Sequence, residues 1–165
     1  MEKKKKHKEA VNKAYKLDPR QPYCAVVDWS LPANEHRFFL YDTHSGKLEY
    51  SWFTSHGRNS GSLKKAERFS NVPESHQSSL GLMVCSETYS GKFGYSCRLD
   101  GISPGTNDNV RSRAIVLHKA GYVTESFINT HGNPGRSWGC ITLDPAESKG
   151  IIDKLKNGGL ILNIT

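Results

Sequence analysis

The sequence predicts a mainly β protein, either a β-sandwich or a partly open barrel, with a short N-terminal helix and one packed C-terminal helix. Short runs rich in aromatic and β-branched residues recur along most of the chain, and clusters of Gly, Pro, Asn and Ser separate them. With 165 residues, 36% of them hydrophobic, the chain is long enough for a single domain with its own core. This composition excludes collagen-like, disordered and membrane-embedded chains.

The N-terminal helix is predicted because Ala10 and Ala14 recur at helical spacing. Asp18-Pro19 ends the pattern, since a residue before proline disfavours the helical conformation. The prediction divides the chain into a basic tail with a short helix, residues 1–18, and a folded domain, residues 19–165.

The tail carries most of the charge. Seven lysines and two glutamates lie in residues 1–16, whereas the whole chain has a net charge of +7. A basic terminus on a nearly neutral body is typical of a solvated segment. We therefore expect no nucleic-acid partner, and the alternative of a nucleic-acid binder depends on these lysines alone.

Eight segments have the composition of strands. They are residues 23–29, 36–42, 48–53, 80–89, 95–99, 113–118, 122–128 and 160–164. Short turns separate the first three, which predicts a β-meander. The polar residues 55–79 predict irregular structure, and their length indicates a functional loop or flap.

A C-terminal helix is predicted from its start and stop signals. Asp144 is a good N-cap residue, Pro145 would occupy the first helical position, and Glu147 would place an acidic group in the first turn. The helix should end near Lys156, before Gly158-Gly159.

Neither a membrane span nor a signal peptide is expected. No apolar run approaches the roughly 20 residues of a spanning helix, and the basic run 3–6 is not followed by an apolar core. Cys24, Cys85 and Cys97 lie in apolar strand-like runs and are interpreted as structural, with their disulfide state open. The cysteine spacing does not match a zinc site, so we expect no metal.

Cys140 is the best candidate for a nucleophile. It follows Gly139 after a glycine-rich turn, and glycine lets successive backbone N–H groups converge on a tetrahedral oxyanion. A reactive thiolate near neutral pH needs a base. His118, at the end of the apolar run 114–117, is the best candidate, and a hairpin between the two segments would bring it to Cys140.

Other interpretations stay open from the residue types alone. A cysteine beside a glycine is more often a small core residue than a nucleophile. His131 competes as the base, His56 is either a ligand contact or a turn residue, and Trp138 either packs beside the site or fills the core. A metal site that combines His56, His118 and His131 with Cys140 lacks a recognised ligand spacing.

Nine short blocks occur in order between Asp28 and Cys140. They are Asp28-Trp29-Ser30, Ser55-His56-Gly57-Arg58-Asn59-Ser60, Phe69-Ser70-Asn71, Ser78-Ser79-Leu80-Gly81, Tyr89-Ser90-Gly91, Leu99-Asp100-Gly101, Asn107-Asp108, Arg113-Ala114-Ile115-Val116 with His118, and Gly135-Arg136-Ser137-Trp138-Gly139-Cys140. In this order the blocks resemble the L,D-transpeptidase catalytic domain, in the branch called the murein L,D-transpeptidase catalytic domain. The resemblance covers nearly the whole chain, from about Ala10 onward. That pattern is a His, a spacer, then Ser, a variable residue, Gly and the nucleophilic Cys.

The resemblance implies the family's β-sandwich-like catalytic domain and an acyl transfer on peptidoglycan stem peptides, without a cofactor. Cys140 would attack the L-centre carbonyl of the diamino acid in a tetrapeptide stem, and the terminal D-alanine would leave. The amine of a second stem would then resolve the thioester into a 3-3 crosslink. The expected partners are therefore tetrapeptide stems as donor and acceptor. We expect the protein to be a monomer and to act in the bacterial cell envelope or periplasm.

The resemblance also implies roles for single residues. The implied catalytic residues are Cys140, His118, Gly139 and Ser137, with the N–H groups of Gly139 and Cys140 facing the oxyanion and a main-chain carbonyl orienting the imidazole. The implied substrate-binding residues are Arg136, Arg113, His56 and Trp138. Two alternatives remain: an L,D-carboxypeptidase that hydrolyses the terminal D-alanine, and a non-catalytic peptidoglycan-binding domain.

Overall fold

The structure is a computed structural model that describes all 165 residues. Its elements are α1 (Glu2–Lys16), β1 (Tyr23–Asp28), β2 (Phe38–Asp42), β3 (Leu48–Trp52), β4 (Gly81–Gly91), β5 (Gly94–Gly101), β6 (Val116–Lys119), a 3-10 turn (Gly121–Val123), α2 (Glu125–His131), β7 (Ile141–Leu143), α3 (Ser148–Leu155) and β8 (Leu160–Ile164). Seven of the eight predicted strands are present, with ends shifted by at most three residues. The stretch between β3 and β4 has no helix or strand, as predicted.

All eight strands belong to one sheet, in the order β3-β2-β1-β8-β4-β5-β6-β7. The first three strands form the predicted antiparallel meander. The pairs β1 with β8 and β6 with β7 are parallel, and the other pairs are antiparallel.

The sheet curls because its two ends share one hydrophobic core. Phe38 and Leu40 from β2 and Ile141 and Leu143 from β7 belong to the same cluster of 19 buried residues, into which α3 also packs. This arrangement confirms the mainly β, partly open barrel that the sequence predicts.

Side-chain hydrogen bonds close the gap between the two edge strands. The Thr54 hydroxyl, just after β3, donates to the carbonyl of Thr142 in β7 at 2.8 Å and accepts from its N–H at 3.1 Å. The N–H of Ser55 donates to the Thr142 hydroxyl at 3.0 Å. Further along, Gly57 forms a parallel bridge with Ser137. The segment after β3 therefore holds the chain that leads into β7.

The N-terminal helix is docked on the sheet, which corrects the prediction of a solvated tail. It begins at Glu2, and its buried face includes His7, Ala10 and Ala14. The Nε2 of His7 lies 2.8 Å from the buried carboxylate of Asp28. Burial raises the pKa of Asp28, but hydrogen bonds from His7 and Ser30 outweigh it and hold that pKa well below its usual range. The other lysines of α1 are exposed, but Nζ of Lys6 also lies 3.5 Å from the Asp28 carboxylate. The lysine-rich composition conceals the buried face in the sequence.

The predicted strand 122–128 is wrong, because this segment forms the 3-10 turn and α2. Thr124 caps α2 by accepting a hydrogen bond from the N–H of Phe127 at 3.2 Å. Gly132 ends the helix in the left-handed region at φ 84°. The starts of two further elements also differ from the prediction. Strand β6 begins at Val116, and helix α3 begins at Ser148, after a turn.

None of the helices combines the length and the apolar character that crossing a bilayer requires.

Candidate active site

Strands β6 and β7 place His118 and Cys140 on one side of the sheet. The two strands run parallel and are joined through α2, so the predicted hairpin between them is wrong. His118 is the register partner of Thr142. Cys140 immediately precedes β7, two residues before Thr142, and its side chain lines the same pocket as that of His118.

Cys140 is the accessible cysteine of the chain. The other three cysteines are buried, whereas Cys140 is partly exposed. Its Sγ lies 3.6 Å from the carbonyl oxygen of Ala114 and accepts the N–H of Val116 at 3.4 Å. Burial of the sulfur raises the pKa of the Cys140 thiol, although the Val116 N–H and the Arg113 charge oppose that change. At neutral pH the sulfur is therefore a protonated thiol.

Ser137 stabilises the turn that presents Cys140. Its hydroxyl donates to the Cys140 carbonyl at 2.8 Å and accepts the N–H of Gly139 at 3.1 Å. The Gly139 N–H is therefore used within the turn. No hydrogen bond within the protein uses the N–H of Cys140, so this amide is the one open to an oxyanion.

Gly139 is needed for its backbone conformation, at φ 116°. A Cβ there would lie 2.8 Å from the carbonyl oxygen of Gln77 and 3.2 Å from Cδ1 of Ile115. We expect Gly139→Ala to lower the free energy of unfolding by about 1–3 kcal/mol and to slow alkylation of Cys140. Urea unfolding and iodoacetamide labelling would measure both effects. Gly121→Ala is the control, because a Cβ at Gly121 meets no atom within 4 Å; equal results for the two variants would contradict the prediction.

His118 is held as a neutral base. Its Nδ1 lies 2.6 Å from the main-chain carbonyl oxygen of Lys119, which places the ring proton on Nδ1 and leaves the lone pair on Nε2. Burial lowers the pKa of His118, the Lys119 carbonyl opposes this, and the Lys92 charge lowers it further. The imidazole is therefore unprotonated at neutral pH.

His118 and Cys140 line one pocket with a volume of about 480 Å³. The structure shows no hydrogen bond between the two side chains. The Cys140 thiol instead donates to the carbonyl oxygen of Ala114, at 3.6 Å. Ala114 holds that carbonyl with φ 55°, a strained value for a residue other than glycine. Catalytic hydrogen bonds often form only once substrate is bound.

The pocket wall also contains Arg113, Arg136, Ser137 and Trp138, so six of the eight predicted site residues come together. Three cationic side chains, from Lys92 and these two arginines, line the pocket, and no carboxylate does. The electrostatic environment therefore favours an anionic ligand.

The two arginines are already hydrogen-bonded to loops. The Arg113 guanidinium donates to the carbonyl oxygens of Ser70 and Gln77 and to the hydroxyls of Ser75 and Ser79. Arg113 thereby holds the long loop before β4 against the site.

Arg136 similarly donates to the carbonyl oxygens of Arg58 and Gly61. Direct substrate contacts by either arginine stay predictions.

Trp138 is 66% exposed at the pocket wall. Its ring stacks on that of His76, with centroids 4.3 Å apart and an interplanar angle of 6°. Of the two alternatives for this tryptophan, the structure supports packing beside the site.

His56 and His131 lie outside the pocket lining. His56 is buried, accepts from the Arg37 guanidinium at 3.1 Å and lies 2.7 Å from the Ser62 carbonyl oxygen. Burial and the Arg37 charge lower the pKa of His56 to about 4. His131 is exposed and stacks on Phe127 at the end of α2.

Six residues that line the pocket were not among the predicted site residues: Tyr89, Lys92, Phe93, Ala114, Val116 and Tyr122. One signal was available for Phe93. It is an apolar residue in a turn between Gly91 and Gly94, a place where turn chemistry alone calls for polar residues.

Comparison with known proteins identifies the family of the chain. The family model described as the L,D-transpeptidase catalytic domain matches residues 1–163. A search of curated proteins finds no match. Among solved structures, L,D-transpeptidase 3 from Mycobacterium tuberculosis, in complex with a faropenem-derived adduct, is similar with a TM-score of 0.57 and 13% identity, over 88% of this chain and 61% of that chain.

Two further solved structures are similar. An L,D-transpeptidase from Mycobacterium tuberculosis H37Rv has a TM-score of 0.55 and 14% identity, over 89% of this chain and 58% of that chain. An L,D-transpeptidase from Mycobacterium smegmatis has a TM-score of 0.53 and 13% identity, over 88% of this chain and 59% of that chain. The chain thus spans less than two thirds of the length of these relatives, and likeness at such identity shows the fold. The family match over residues 1–163 shows that the chain belongs to the L,D-transpeptidase catalytic domain family.

Proposed function

We propose that this protein is a cysteine peptidyltransferase that forms 3-3 crosslinks between peptidoglycan stem peptides in the bacterial cell envelope. The observation that carries the proposal is the placement of a thiol, Cys140, and an imidazole with a free Nε2, His118, in one accessible pocket. Family membership supports the substrate class.

Acylation begins when the thiol of Cys140 turns from the Ala114 carbonyl toward Nε2 of His118. Both groups are neutral, so the proton passes to Nε2 as Sγ bonds to the L-centre carbonyl carbon of the donor stem. The Cys140 N–H stabilises the oxyanion. The tetrahedral intermediate collapses, the C–N bond breaks, and the imidazolium gives its proton to the departing amine of D-alanine.

Deacylation repeats these steps with an acceptor. The amine of a second stem attacks the thioester carbonyl and gives a proton to Nε2 of His118. The C–S bond then breaks, and the thiolate of Cys140 recovers the proton. Throughout, the Nδ1 bond to the Lys119 carbonyl keeps the imidazole in the tautomer that accepts at Nε2.

The positive charge of the pocket lining supports a donor stem peptide that carries negative charge. Stem peptides carry carboxylates on the D-alanine and the diamino acid, and the pocket presents three cations without a carboxylate. Carboxylates therefore gain attraction there without a repelling partner.

Intact-mass analysis with a diaminopimelate tetrapeptide stem tests the proposal. We expect a covalent adduct on Cys140 equal to the tripeptide acyl group, followed by a crosslinked dimer. Release of tripeptide without dimer would identify an L,D-carboxypeptidase instead. The absence of both adduct and product would identify a non-catalytic domain. Because a solved relative carries a faropenem-derived adduct, a penem is a second acylating probe.

A further inference from the structure

The two-residue turn between β4 and β5, Lys92-Phe93, reaches over the site. Gly91 pairs with Gly94 at its base. Phe93 is 42% exposed and belongs to neither hydrophobic core cluster. Core packing therefore does not explain a large apolar side chain at this position.

The Phe93 ring lies flat on the imidazole of His118. The ring centroids are 4.1 Å apart and the interplanar angle is 11°. Both residues line the pocket that contains Cys140. His118 is only 2% exposed, although it faces a pocket, and Phe93 covers one face of its ring.

The turn between β4 and β5 also lies close to Lys119, the residue that contacts Nδ1 of the His118 imidazole. Gly94 has φ 77°, and a Cβ there would lie 3.3 Å from Cε of Lys119. Lys119 is also the residue whose carbonyl oxygen lies 2.6 Å from Nδ1 of His118. The ladder between β5 and β6 joins the same two segments, with Cys97 paired to Leu117.

We propose that Phe93 is a positioning residue that fixes the plane of the His118 imidazole and keeps water from one of its faces. A single hydrogen bond at Nδ1 leaves the ring free to tilt about that bond. A flat contact removes this freedom, so Nε2 stays directed into the pocket. That this orientation serves catalysis rests on the proposed function, whereas the contact itself does not.

The contact also affects the charge of the imidazole. Burial is the largest cause of the lowered pKa of His118, and the adjacent Lys92 charge acts in the same direction. The ring of Phe93 contributes to that burial. Its removal hydrates the imidazole and stabilises the protonated form, so the pKa of His118 rises toward its ordinary value.

Phe93→Ala tests this proposal, with Phe127→Ala as the matched control. Phe127 stacks on His131 in the same manner, with centroids 4.0 Å apart, but lies outside the pocket. In the ligand-free protein, an NMR titration of the His118 ring should show a higher pKa in Phe93→Ala and no change in Phe127→Ala. Phe93→Tyr keeps a flat ring and should restore the wild-type titration.

With the tetrapeptide stem, we expect Phe93→Ala to lower kcat about tenfold, with KM within about twofold of wild type. The acid limb of its pH profile should move to higher pH, because protonation of His118 removes the base. Phe93→Leu, which keeps an apolar side chain at the turn, should also lower kcat and provides a second variant if Phe93→Ala does not fold.

An unchanged His118 titration in both Phe93→Ala and Phe93→Leu would overturn the proposal, as would a wild-type kcat in both. A shifted titration in a protein that never acylates would leave the positioning role standing and remove the proposed function.

Discussion

Replacing Cys140 with alanine is expected to lower the rate of crosslink formation by roughly four orders of magnitude or more. No other cysteine lines the pocket, and the remaining three are buried in the hydrophobic cores. Without Sγ no thioester forms, so the intact mass should stay unchanged after incubation with the tetrapeptide stem. Dimer formation measured by chromatography should fall in parallel.

Cys24→Ala is the matched control, because it removes the same thiol group from a buried position under α1. It should keep both the adduct and the dimer. The proposed nucleophile would be excluded if Cys140→Ala still formed an adduct while its thermal unfolding matched that of wild type.

His118→Gln is expected to lower kcat by about 10² to 10⁴. Glutamine keeps a polar side chain near the Lys119 carbonyl but has no basic nitrogen for the Cys140 proton. The wild-type rate should rise with pH through the pKa of His118, which burial places below its ordinary value. The rate rises with pH, and does not fall, because the neutral imidazole is the active form and predominates above its pKa. The variant should lose this acid limb.

His131→Gln provides the control, since His131 is exposed and does not line the pocket. Its pH profile and kcat should equal those of wild type. An acid limb that survives in His118→Gln would assign the base to another group.

The pKa directions of the two residues limit the mechanism. Burial raises the pKa of the Cys140 thiol and lowers that of the His118 imidazole. A preformed thiolate–imidazolium pair is therefore disfavoured in the free protein. Proton transfer must accompany attack on the substrate, which makes the orientation of Nε2 a direct determinant of rate.

The strands could be predicted from the sequence because their signal is local. Alternating apolar residues and the turns between them depend on neighbours within a few positions, and seven of the eight predicted strands are present. The failure at 122–128 has the same origin. Its apolar composition suggests a strand, but the Thr124 cap and the final Gly132 determine a helix.

The site was predictable where residue type and spacing carry the chemistry. A cysteine after glycine and a histidine after an apolar strand indicate Cys140 and His118, and both line the pocket. The contact of Phe93 with His118 joins residues 25 positions apart, one in the turn between β4 and β5 and the other in β6. No local pattern encodes such a contact.

The sequence by itself determined the strand-rich class, the candidate nucleophile and the candidate base, because composition, period and residue chemistry are properties of short segments. Only the tertiary structure decided which groups meet. In the tertiary structure His56 is buried away from the pocket, and the lysine-rich helix packs on the sheet through His7. The N–H of Gly139 is hydrogen-bonded within its own turn. These outcomes depend on packing between distant segments, where burial and hydrogen bonding change what a side chain can do.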